Sequence, residues 1–128
     1  MRRGIRGKRL GVTIVLGIFA LCPLLVRGAA AAGDAQAGAQ SFKTHNCAVC
    51  HGGGGKGDGL AFKGKANNPM VDWTSKNAMS SLTDDFLAEI ITKWGKAVGK
   101  SPEMIAYGEK LSDDQVKDLV AFVRSLAQ

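Results

Sequence analysis

Apolar positions change their spacing several times along the chain, and each change marks a candidate element. From Leu10 to Val26 they run almost unbroken. Behind Asp34, a good N-cap, Ala35, Gly38, Ala39 and Phe42 form an inner stripe that predicts a helix running toward Asn46. Gly38 weakens that helix but lets another element cross closely. Gly52 to Gly59 reads GGGGKGDG, and neither a helical nor a strand period appears from Leu60 to Ser81, so both stretches are expected as loop. Thr83, followed by Asp84 and Asp85, opens a second helix with Phe86, Leu87, Ile90, Ile91 and Trp94 on its inner side, closed by Gly95. Ser112 and Gln115 form a capping box flanked by a Leu111–Val116 staple, and open a last helix. That helix buries Val116, Leu119, Val120 and Val123, with Phe122 at its flank. Helical periods without strand alternation make the expected fold all-α.

Charge separates the first apolar run from the rest. Arg2, Arg3, Arg6, Lys8 and Arg9 precede it, and Ala29 to Ala32 follow it with small residues. This is the layout of a secretory signal peptide over residues 1–32, cut near Ala32-Gly33, with one domain over 33–128. A retained anchor is the competing reading. The run of about 17 residues is at the short limit for a span, and the alanines favour cleavage. Leu21 before Cys22 does not suit a lipoprotein site. The formal charge of +6 belongs to the leader: it holds six of the 17 basic residues and no acid, leaving 11 Lys/Arg against 11 Asp/Glu. The mature part therefore gives no argument for nucleic acid. A domain of this size builds only a modest core from its own side chains.

Candidate chemistry concentrates in Cys47-Ala48-Val49-Cys50-His51, the Cys-x-x-Cys-His spacing of covalent c-type haem attachment. On one helical turn both sulfurs and the imidazole share a face. Cys47 and Cys50 then tether the porphyrin edge by thioethers, and neutral His51 reaches the iron as the proximal ligand. A zinc site wants about four ligands, usually in separated pairs, whereas here two cysteines, His45 and His51 crowd one short segment. A dithiol redox pair wants a βαβ context that the pattern does not offer. The glycine stretch is no phosphate cradle, because Lys56 is followed by Gly57 rather than Ser or Thr. Its expected role is to let the backbone pass close to haem. One haem c would supply much of the missing core and organise the long loop.

The iron's other face has Met70, Met79, Met104 and His45 as candidates. Met104 lies between the second and last helices, where Ser101-Pro102 interrupts helix, and such a segment can fold over the distal face. Met79, His45 or an open site are the alternatives, with His45 expected at the surface. From Asp34 onward the chain resembles the class I c-type cytochromes, and Gly99 to Met104, Tyr107 and Leu111-Ser112 look like that family's methionine-ligand loop. The resemblance implies helices and long loops wrapped around one covalent haem, with the first and last helices crossing near Gly38 and Phe122. It also implies a proline carbonyl, here Pro69, accepting the second N–H of His51; a merely stiffening proline is the alternative. Trp73 is expected either to donate its indole N–H to a propionate or to pack. The family's proline after the methionine is replaced by Ile105, which predicts a looser loop.

The expected function is a monohaem carrier, His51/Met104-ligated and not an enzyme, moving single electrons between redox partner proteins in the periplasm. A thioether ligand predicts a positive potential. Docking is expected to be weak and transient, by a monomer without a membrane span. Lys93, Lys96 and Lys100 are either a docking ring or a solvated helix end. The alternatives are a haem enzyme or gas or peroxide sensor, and a cytochrome subunit of a larger oxidoreductase. Against the enzyme, no distal His or Arg pair is arranged for O–O cleavage.

Overall fold

The first helix begins where Asp34 supplies a carboxylate for orphan N–H groups. Its Oδ1 accepts from Gln36 at 2.7 Å and Ala37 at 3.2 Å, and α1 spans Ala35–Thr44. The computed structural model describes residues 32–68 and 70–127; the expected leader up to residue 31, and Pro69, lie outside the described residues. One helical turn, α2 (Ala48–His51), follows. A second short turn, α3 (Lys76–Met79), is capped by Ser75, whose Oγ accepts from the Ala78 N–H. Next comes α4 (Asp84–Lys93), where Thr83 Oγ1 accepts from Phe86 at 3.1 Å, then a 3-10 turn over Gly95–Val98. The last helix, α5 (Asp113–Leu126), carries the expected capping box: Ser112 N–H donates to Gln115 Oε1 at 2.9 Å, and Gln115 N–H returns to Ser112 Oγ. Among the described residues there is no strand, and no helix is long and apolar enough to cross a membrane.

Helices α1 and α5 cross at Gly38. A Cβ there would lie 2.8 Å from Phe122 Cβ and closer still to the Asp118 carbonyl, so only glycine permits the approach. Beneath the crossing, Phe42 is 3% exposed and sits between the rings of Phe122, at 5.2 Å, and Trp73, at 6.0 Å. Val116 and Leu119 of α5 join Phe42 and Leu111, while Val120 and Val123 join Leu87 of α4 and Met79 of α3. The last helix thus holds both halves of the core. Near its end, Arg124 donates to Asp84 Oδ1 at 2.6 Å and to the carbonyls of Met79 and Leu82, fastening the approach to α4.

Three local expectations change. The stretch from Leu60 to Ser81 holds α3, a helix too short to show a period in sequence. Met79 is 2% exposed and packed in the core, so it is a filler rather than an axial-ligand candidate. Trp94 is not core: α4 stops at Lys93, Trp94 itself takes the left-handed turn at φ 84°, and its side chain swings outward to 40% exposure. Gly95, expected to close the helix, is instead buried against Ser101.

Candidate functional site

Between α1 and α2 the chain turns through Asn46, at φ 57°, a position that asparagine tolerates better than most residues. The turn delivers Cys47 to a helical conformation, and the His51 N–H donates back to the Cys47 carbonyl at 3.0 Å. Cys47, Cys50 and His51 therefore share one turn, and neither thiol is in a disulfide. Burial pushes the Cys47 thiol up, its backbone hydrogen bond opposes this, and the neighbouring Cys50 adds to the rise. The His51 ring stacks on Trp73, with centroids 4.3 Å apart and planes 25° from parallel. Its Nδ1 is buried and has no hydrogen-bond partner among the described residues. Burial lowers its pKa to about 4, so the imidazole is neutral at pH 7 and free to give a lone pair.

The glycine stretch shapes the back of this turn. Gly57 N–H donates to the His51 carbonyl at 2.9 Å, and Trp73 N–H to the Gly55 carbonyl at 2.8 Å. Asn68 Nδ2 holds the Gly57 carbonyl at 2.7 Å while its Oδ1 accepts from Met70 N–H at 2.9 Å. A side chain on Gly55, at φ 73°, would run into Trp73 and Leu126. The close approach that glycine provides is thus to the partners of His51, not to the cleft itself, which no glycine among the described residues lines.

In front of His51 lies an apolar cleft in two adjoining lobes, the larger about 1050 Å³ including its open mouth. His45, Cys47, His51, Met70, Met104 and Tyr107 line both. Leu87, Ile90 and Ile91 of α4 wall the larger lobe, and Cys50, Phe62 and Ile105 the other. Trp73 lines the larger lobe while its ring covers His51. Met104 and His51 therefore border the same space. His45 is half-buried, with its ring edge-on to Tyr107 at 5.9 Å, because α1 ends over the cleft rather than at the surface.

The segment carrying Met104 is braced against the end of α4. Helices leave their last carbonyls unpaired; here Tyr107 N–H donates to the Ile91 carbonyl at 2.9 Å and Gly108 N–H to Thr92 at 3.2 Å. Upstream, Gly95 N–H donates to the Met104 carbonyl at 3.1 Å, and the Trp94 indole to Pro102 at 2.9 Å. These four bonds tie the Met104 loop to the end of α4.

Comparisons with known proteins agree with this geometry. A family model described as Cytochrome c matches residues 35–127. The chain belongs to the cytochrome c family. It is 32% identical over 99 residues to the cytochrome c subunit of alcohol dehydrogenase (quinone) from Gluconobacter oxydans (strain 621H). That match takes in 72% of this chain but only 18% of the relative's length. The solved structure of the KustC0563 c-type cytochrome shares the fold with a TM-score of 0.55 at 24% identity, over 71% of this chain and 98% of that one. A cytochrome c domain implies covalently bound haem c, and the residues present fit it. Two thiols outside any disulfide, a buried neutral imidazole and an apolar cleft are what a porphyrin with a nitrogen-ligated iron requires.

Met70 and His45, both candidates for the iron's other face, line the cleft, His45 against its expected surface place, and sequence reasoning missed Trp94 as a brace. Met70 lies directly against Gly57, where a Cβ would meet the Met70 Cβ at 2.6 Å, and a helix stop one residue early is invisible in an apolar stripe.

Proposed function

We propose that this chain is a monohaem electron-transfer domain in which Cys47 and Cys50 hold one haem c, and His51 and Met104 hold its iron from opposite faces. The carrying observation is that His51 and Met104 line one apolar cleft beside both thiols. When bound, the haem supplies one-electron iron redox chemistry. The chain's own part is to hold and to exclude. Trp73 fixes the His51 ring plane, Phe86, Ile90 and Ile91 keep water from the larger lobe, and the braced loop presents the Met104 thioether. No proton-transfer residue is needed, so the reading is a carrier rather than an enzyme. With the leader proposed over residues 1–32, the working place is the periplasm, and redox partner proteins meet the domain by weak, transient contacts. In Pro69 we propose the carbonyl that accepts from His51 Nδ1, which otherwise stays buried without a partner.

A redox titration of the purified holoprotein tests the axial pair. A thioether opposite His51 gives a positive potential, whereas a negative value like that of a bis-histidine haem contradicts it.

A second reading is favoured by one observation: the likeness to a cytochrome c subunit of a quinone-type alcohol dehydrogenase. On that reading the domain passes electrons within a larger oxidoreductase. Purification from native cells distinguishes them, because a subunit co-elutes with a dehydrogenase at high salt and a carrier elutes alone.

A further inference from the structure

Trp94 occupies a position that glycine would normally fill. Its φ of 84° lies in the left-handed region that side chains rarely adopt, and glycine stands immediately after it. That glycine is committed elsewhere. Gly95 is buried, and a Cβ on it would strike the Ser101 carbonyl, so the close approach of the loop uses up the glycine and the turn falls to Trp94. Burial does not explain the tryptophan either, since it is 40% exposed. What its side chain contributes is an N–H placed on the Pro102 carbonyl at 2.9 Å, two residues before Met104. Gly95 adds its own N–H to the Met104 carbonyl at 3.1 Å. Two consecutive residues thus hold the loop at and just ahead of the methionine. On the solvent side, Lys96 Nζ lies 5.8 Å from the Trp94 ring centroid. Strained backbone persists only where its surroundings over-determine it, and it collects at sites where geometry matters.

We propose that Trp94 is a positioning residue for the sixth ligand: its indole hydrogen bond to the Pro102 carbonyl holds the Met104 thioether over the iron. The proposal rests on Met104 being that ligand. It gives the loop a brace from outside its own sequence, where Ile105, 50% exposed, offers none. Opening of the loop is then a local event governed by the few bonds at the end of α4.

The test uses ferric holoprotein and two readouts: the methionine–iron charge-transfer band and the rate of cyanide binding to iron. Trp94→Phe removes the N–H and keeps the ring and the strain. Trp94→Gly removes the N–H and relieves the strain. Both variants are expected to bind cyanide about tenfold faster and to lose the charge-transfer band at lower temperature. A tenfold change corresponds to about 1.4 kcal/mol, the size of one hydrogen bond. The thermal midpoint of helix unfolding in Trp94→Gly is expected to hold steady or rise, which a merely structural role does not allow. Unchanged cyanide rates in both variants overturn the proposal. Acceleration in Trp94→Gly alone also overturns it, because both variants lack the N–H, and the ring or the backbone rather than the indole hydrogen bond would then govern the loop. If the wild-type protein lacks the band and Met104→Ala leaves the cyanide rate unchanged, the ligand assignment fails and the proposal fails with it. That outcome is distinct from a present band that ignores Trp94.

Discussion

His51 owes its readiness for iron to its surroundings more than to its own chemistry. An exposed histidine is half protonated near pH 6.5, but burial lowers this one to about 4, and the stacked Trp73 ring holds its plane at 4.3 Å. Trp73 is therefore the side chain whose loss should be felt most at this position. Trp73→Ala removes the ring that stacks on His51 and meets Phe42 edge-on, and should lower holoprotein stability by about 3 kcal/mol, read by denaturant unfolding. Trp73→Phe keeps a ring there and should cost less than half as much; equal losses would mean that stacking is not what the residue supplies. The cysteines and His51 were legible in the sequence because their geometry is local: one helical turn sets it. The Trp73 stacking was not, because the loop bonds through Gly55 that bring it to His51 leave no period to read.

The α1–α5 pair shows why element ends and crossings are read more easily than loops. Asp34, Thr83 and Ser112 each announce a helix by a side chain that accepts from its first turn, and all three helices start there. Gly38 announces the crossing by having no side chain. Gly38→Ala gains some helix propensity but drives a methyl into the Asp118 carbonyl and Phe122, and should cost about 2 kcal/mol net. The thermal midpoint should then fall by roughly 8–16 °C; an unchanged or raised midpoint would show that the helices part without penalty. The end of α4 was misread for the converse reason. Nothing local distinguishes a helix that stops at Lys93 from one that includes Trp94, since the deciding bonds come from Pro102, Met104, Tyr107 and Gly108, contributed by a loop with no period.

The molecule is a small helical frame whose central space is left for a cofactor. Its two core groups, around Phe42 and around Leu87, meet through α5, and the cleft opens where α1, α4 and the Met104 loop face one another. Aromatic and aliphatic residues that a self-sufficient core would hide, such as Phe86, Ile90 and Ile91, are only half-buried and point to the cleft. The lysines read as either a docking ring or a solvated helix end have partners within the chain: Lys93 pairs with Glu89 at 2.9 Å, and Lys96 and Lys100 lie over the rings of Trp94 and Phe86. The central claim is that His51 and Met104 close the iron from both faces, and optical spectra of the ferric and ferrous holoprotein, with and without CO, test it most directly. A methionine–iron charge-transfer band in the ferric form and a ferrous spectrum that ignores CO are the predicted results, with CO binding appearing in Met104→Ala. A high-spin ferric spectrum, or prompt CO binding by the wild-type protein, would contradict the closed site and the carrier function built on it.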